Sequence, residues 1–204
     1  MDKEEIEVEK KFQPTKEQFE SLVSDALYKG EKKIIDEYYD YTDYNLVKQG
    51  RLLRKRDGAY ELKVYKDQGT LSGATIAPEI TDETEIIKIL GLYEEKTLED
   101  QIGEKLNLLC RIETIRNKYI KGDFVITDDK TDFGYYICEI EKMVSNESEI
   151  KNAENEIIEL AKAHNFEILD LPLKTTEWMK RMKPELYREI FGNKEAHNEL
   201  NKLK

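Results

Sequence analysis

Charge recurs at every second residue in several short segments of this chain, and that period limits what those segments can fold into. Glu7, Glu9 and Lys11 are spaced i, i+2, as are Arg54 and Arg56, Glu61 and Lys63, and Glu139 and Glu141. A spacing of two puts side chains on one face of a β-strand, whereas a helix scatters them around its axis. Taken one strand at a time, such a face is expected to look into solvent, because Lys, Glu and Arg are rarely buried unless paired. Taken together, the faces hold several carboxylates and several cations in complementary number. Lining a barrel, unpaired charges would be costly, and crowded carboxylates would raise one another's pKa. A divalent cation between the carboxylates and a polyanion between the cations would remove both penalties. Mg2+ suits the first role, being hard and usually held by one or two carboxylates with phosphate and water. Arginine forks suit the second, since they match phosphate oxygens.

The rest of the chain supplies strands and helices around these faces. Residues 5–12 alternate as a strand. Thr15 with Gln18 three residues on is a capping box, and Phe19, Leu22, Val23, Ala26 and Leu27 follow at helical spacing until Gly30. Strands are expected over 34–40, 51–56 and 60–65, the last two joined by the hairpin signal Asp57-Gly58. Residues 67–73 read as a loop and 74–81 as an edge strand weakened by Pro78. Helices are expected after Asp82 as far as Gly91, and over 98–106. Strands follow over 108–120, 124–130 and 135–144, then helices over 148–164 and 175–182, with Pro184 opening another. About eight antiparallel strands with helices outside predict an α+β chain, mainly β. Its expected architecture is a closed eight-stranded antiparallel β-barrel. Residues 1–192 are expected to form one domain and 193–204 a polar tail.

Composition narrows the function classes. With 44 acidic and 33 basic residues the net charge is −11, which disfavours nucleic acid and anionic membranes as partners. No apolar run approaches membrane-spanning length, and the charged start Met1-Asp2-Lys3-Glu4-Glu5 is not a secretory signal. Cys110 and Cys138 are expected to be buried thiols rather than a disulfide, in a cytoplasmic protein.

Several runs then point to a family. Glu7-Val8-Glu9-Lys10-Lys11 resembles the Glu-x-Glu-x-Lys signature of the CYTH domain, the triphosphate tunnel metalloenzymes. Tyr39-Asp40, Leu53-Arg54-Lys55-Arg56, Glu61-Leu62-Lys63, Asp129, Asp132-Phe133-Gly134-Tyr135, Glu139-Ile140-Glu141 and Pro172-Leu173-Lys174 resemble its later elements in the same order. The Asp-Phe-Gly-Tyr run and the spacing of Lys174, Pro184 and Tyr187 are most similar to the thiamine-triphosphatase-like branch. That branch has a Trp before the Leu-Arg-x-Arg element, stacked on the organic group of the substrate. This chain has Leu52 there, which leaves thiamine recognition open.

The resemblance implies a charged tunnel through an eight-stranded barrel and a metal-dependent hydrolase acting on a small triphosphate, with Mg2+ or Mn2+ as cofactor. It implies Glu7, Glu9, Asp129, Glu139 and Glu141 as the metal-side carboxylates, with Asp128 the alternative to Asp129. Lys11, Arg54, Arg56, Lys63, Arg116 and Lys174 would hold the triphosphate, and Glu79 would line the same tunnel. Tyr39 would hydrogen-bond near the substrate or pack as a strand aromatic. In catalysis one cation near Glu139 and Glu141 would orient the phosphates. Glu7 and Glu9 would hold a second that activates water, and Arg56 and Lys63 would stabilise the transferring group. Competing expectations are an adenylate cyclase acting on ATP and a non-catalytic polyphosphate-binding module. A monomer or weak homodimer is expected, with Trp178 and His164 outside the chemistry.

Overall fold

The computed structural model describes residues 6–65 and 79–192. The expected loop over 67–73, most of the expected strand over 74–81 and the expected tail over 193–204 lie outside the described residues. Eight strands form: β1 Ile6–Phe12, β2 Leu27–Asp40, β3 Arg51–Arg56, β4 Ala59–Val64, β5 Glu79–Ile80, β6 Asn107–Lys121, β7 Phe124–Thr131 and β8 Tyr136–Val144. They are hydrogen-bonded in the order β1-β8-β7-β6-β2-β3-β4-β5, with antiparallel ladders as expected. The order ends on β1 and β5, and among the described residues no ladder joins these two strands to close the barrel.

The helices are α1 Lys16–Val23, α2 Asn45–Lys48, α3 Glu83–Leu90, α4 Leu98–Gln101, α5 Ile150–Ala163, α6 Lys174–Met182 and α7 over residues 184–192. A single 3-10 turn, Glu147–Glu149, precedes α5. Thr15 caps α1 in the expected box, with Gln18 reciprocating. The Asp57-Gly58 turn has φ of +50° and +87°, the left-handed pair that lets a two-residue hairpin follow the strand twist.

Three helices differ from expectation, and β2 begins at Leu27 rather than near 34. Helix α1 stops at Val23 rather than near Gly30: Phe19 and Leu22 reach the core, but Leu27 does not, being 62% exposed at the start of β2. Helix α4 is one turn long, because Ile102 turns extended and Gly103 takes φ +84°. Helix α2 carries no long apolar period to reveal it. It is held by Asp40, whose carboxylate accepts from the backbone N–H of Tyr41, Leu46 and Val47 at 2.7, 2.9 and 3.0 Å.

By internal contact the chain forms two compact units. Among the described residues the first takes 6–35 and 113–171, and the second takes 36–65, 79–112 and 172–192. Each has its own core on one strand face. In the first, Val8, Phe12, Ile126, Cys138 and Ile140 pack under Ala153, Ile157 and Ala161 of α5. In the second, Tyr39, Leu53, Tyr60 and Leu62 pack under Ile86, Ile87 and Leu90 of α3. Each core buries eleven side chains, the larger aliphatic ones at ~1.5–3 kcal/mol apiece, which sets the strand registers. Cys110 and Cys138 are free, buried thiols, as expected.

Candidate active site

Once an apolar face is committed to the helices, the period of two commits the alternate residues to the other face. In the first unit the register places Glu9 opposite Glu141, Lys11 opposite Glu139, Glu139 opposite Thr127, and Arg116 opposite Asp129. Directly opposed residues share a face, so these charges form one cluster across β1, β8, β7 and β6. They are not on a solvated face. Glu9 is 8% exposed, Lys11 5%, Glu139 6% and Asp129 0%. Both sides of this part of the sheet are therefore buried, one apolar and one charged.

The cluster divides its carboxylates between two kinds of partner. Arg116 grips Asp129 through Nε and Nη2 at 2.7 and 2.6 Å and donates to Glu139 at 2.7 Å. Lys11 pairs closely with Glu9 and lies 3.9 Å from Glu139. Burial disfavours the Lys11 ammonium, but Glu9 and Glu139 outweigh it and hold its pKa above the ordinary lysine value. Glu7, Glu9 and Glu141 form a separate group, with one carboxylate oxygen from each within 4.8 Å of the others. Burial, then Glu139, Glu7 and Glu9, push the Glu141 carboxyl up to about 8. Three hard oxygen donors that close, at a site that resists a further negative charge, fit a divalent cation. Glu139, expected to share one ion with Glu141, accepts from Arg116 and lies near enough to oppose the ionisation of Glu141, while the three-carboxylate group is Glu7, Glu9 and Glu141.

Asp128 and Asp129 are separated by the same register. Asp128 lies opposite Cys138, on the face of the helix-covered core, whereas Asp129 lies with Arg116.

The second unit has its own charged face. Asp36 lies opposite Arg56, Tyr38 opposite Arg54, Arg54 opposite Glu61, Leu52 opposite Lys63, and Lys63 opposite Glu79. Arg56 forks onto Asp36 through Nε and Nη2 at 2.6 and 2.8 Å. Arg54 bridges Glu61 and Glu79 at 2.5 and 2.7 Å, and Lys63 is 3.6 Å from Glu79. Asp36 is 1% exposed. Burial alone would raise its pKa, but Arg56, Arg54 and Lys174 hold it below the ordinary aspartate value. The Glu79 carboxyl is likewise lowered: burial opposes, and Lys63 and Arg54 prevail. Lys174, the first residue of α6, is thus within electrostatic reach of the Asp36–Arg56 pair.

Tyr39 is not brought to this face. It packs in the core against Tyr60, and its hydroxyl donates to Glu37 at 3.1 Å. Burial and that hydrogen bond push its pKa up to about 12. Its neighbour Tyr38 occupies the charged face, with a pKa raised by burial and by Asp36. Asp36 and Tyr38 were both legible as an i, i+2 pair ending at Asp40, a run hidden by the adjacent tyrosines. A cavity of about 410 Å3 in this unit, lined by Tyr60, Thr81, Glu83, Thr97 and Glu99 among others, includes none of the strand cations and lies apart from this chemistry.

Outside the charged faces, His164 ends α5 and shares a 2.9 Å hydrogen bond with Ser21. No helix among the described residues is long and apolar enough to cross a membrane.

Antiparallel strands thus carry buried carboxylates and cations on one face and aliphatic residues on the other. The chain belongs to the CYTH domain family, whose model matches residues 5–169. Human thiamine-triphosphatase is 28% identical over 212 residues, covering 91% of this chain and 89% of the relative. A solved Pyrococcus horikoshii protein is similar in fold, with a TM-score of 0.54 and 21% identity over 79% of this chain and 91% of the other. So is an adenylyl-cyclase candidate from Hippeastrum in which triphosphatase activity dominates, with a TM-score of 0.52 and 13% identity over 78% and 88%.

Proposed function

We propose that the chain is a metal-dependent triphosphatase that removes the terminal phosphate of a small triphosphate, inorganic tripolyphosphate or thiamine triphosphate. The observation that carries this reading is the Glu7–Glu9–Glu141 group, three carboxylates close enough to share one ion. Membership of the CYTH family and the likeness to thiamine-triphosphatase support the choice of substrate class.

Mg2+ or Mn2+ held by Glu7, Glu9 and Glu141 would supply Lewis acidity and offset the charge of the phosphate chain. The remaining work falls to the chain's own residues. Lys11 holds Glu9 in place through its close ion pair. Asp129 and Glu139 hold the Arg116 guanidinium in place, a fixed cation for a phosphate oxygen. Arg54, Arg56 and Lys63 are each positioned by a carboxylate and present the donors those carboxylates leave over. Donors fixed before the substrate arrives stabilise developing charge without reorganising. Water attacks the terminal phosphorus, the bridging P–O bond breaks, and the diphosphate leaves with the negative charge these cations offset.

Leu52 stands in line with Lys63 on the charged face of the second unit and offers no ring to an organic group. It favours inorganic tripolyphosphate over thiamine triphosphate. The test is phosphate release from tripolyphosphate, thiamine triphosphate and ATP, each with Mg2+ and with EDTA. Metal-dependent release, fastest from tripolyphosphate, supports the assignment. Cyclic AMP from ATP would reassign the site as a cyclase, and tight binding without release would make it a binding module.

A further inference from the structure

Helix α6 begins without a cap. Its N-cap residue is Leu173, which has no side-chain acceptor, and the first intrahelical bond comes from Glu177 N–H to the Leu173 carbonyl. The first N–H groups of any helix have no partner within it and usually find a side chain or water. Here the residues that carry them are inside the protein: Thr175 is 1% exposed and Thr176 5%. Their hydroxyl oxygens are buried with no hydrogen-bond partner. Two adjacent residues thus leave two buried hydroxyls unsatisfied beside the uncapped first turn of the helix. Buried polar groups are otherwise nearly always paired.

Direction and charge say what belongs there. Every Cα–Cβ bond in a helix tilts toward its N-terminus, so both hydroxyls lean toward the same end as the first N–H groups. Hydroxyls and first-turn N–H groups alike can donate a hydrogen bond. The helix dipole adds partial positive charge at this end, in a helix of nine residues. Lys174 begins the same helix and acts on Asp36, which Arg56 holds. A cluster of donors in positive potential takes an anion and repels a cation.

We propose that the N-terminus of α6, with the hydroxyls and N–H groups of Thr175 and Thr176, binds a phosphate group at one end of the triphosphate chain. This rests on the triphosphatase reading for the identity of the ligand, but the anion site stands on its own geometry. Thr175 and Thr176 are binding residues here and take no part in bond making.

The test compares wild type with a Thr175→Val, Thr176→Val double variant. Valine keeps the shape and removes the hydroxyls, so the unliganded variant should melt at or above the wild-type temperature. Trp178, the sole tryptophan, lies on the same helix and reports binding by its emission. Titration with inorganic tripolyphosphate in EDTA, where no turnover occurs, should show the variant binding at least about a hundredfold more weakly, as expected for two hydroxyl donors lost from a charged acceptor. With Mg2+ the KM should rise by more than kcat falls. Titration with orthophosphate separates the chain end from the released product, and the proposal predicts tighter binding of tripolyphosphate. Equal tripolyphosphate affinity in the two proteins, or a variant that melts several degrees lower with unchanged affinity, overturns it. If wild type binds tripolyphosphate through these threonines yet releases no phosphate under any metal, the anion site stands and the triphosphatase reading fails.

Discussion

Replacing Glu141 by Gln should stabilise the metal-free protein while abolishing its response to divalent cations. The Glu141 carboxyl has a pKa of about 8 in the folded protein against 4.5 when unperturbed, because burial and then Glu139, Glu7 and Glu9 oppose its ionisation. A raised folded-state value means the folded protein prefers the protonated form. The stability contributed is fully present below pH 4.5 and is lost as the pH rises through 8. A tenfold difference in proton affinity is worth about 1.4 kcal/mol, so the lost stability is about 1 kcal/mol at pH 5, about 3 at pH 7 and about 5 at pH 9. Wild type in EDTA should therefore lose about 4 kcal/mol between about pH 5 and pH 9 from this group alone. Glutamine carries no charge to bury, so Glu141→Gln should lack that part of the slope. Urea unfolding of both proteins in EDTA across this range measures the difference directly. Added Mg2+ should restore wild type at high pH and leave the variant unmoved. Parallel stability curves for the two proteins, or an equal gain from Mg2+ in both, would refute the reasoning.

Arg56→Ala should lower triphosphate turnover by about two orders of magnitude and also destabilise the fold by roughly 3–5 kcal/mol, because it strands the buried Asp36. Steady-state kinetics and urea melts read the two effects, and an Asp36→Asn, Arg56→Ala pair should recover much of the stability and none of the activity. Tyr38→Phe should reduce kcat/KM more than Tyr39→Phe does, since only Tyr38 lies on the charged face; the reverse order would place the site on the wrong side of β2. Asp40→Ala should cost about 2–3 kcal/mol by leaving buried N–H groups of Leu46 and Val47 unmatched, with turnover per folded molecule unchanged.

The charged faces were legible in the sequence because strand periodicity is exact. Glu7, Glu9, Lys11, Arg54, Arg56, Lys63, Glu139 and Glu141 all stand where an alternation of two puts them. The Asp57-Gly58 hairpin and the caps at Thr15 and Asp82 were equally plain, since each is a local rule carried by two or three residues. What could not be read was anything decided across strands. The choice between Asp128 and Asp129, and between Tyr38 and Tyr39, depends on which of two adjacent residues faces the helices, and that is settled by register. The division of carboxylates between Arg116 and the Glu7–Glu9–Glu141 group depends on cross-strand distances. The bare start of α6 was hidden too, because an uncapped helix end has no sequence signal beyond the absence of a capping residue.

Phosphate release from inorganic tripolyphosphate, followed for wild type and Glu9→Gln with Mg2+ and with EDTA, tests the metal-dependent triphosphatase most directly. Wild type should release phosphate only with the metal present, and Glu9→Gln should be slower by about two orders of magnitude while still folded. Release that persists in EDTA, or a Glu9→Gln protein as fast as wild type, would contradict it.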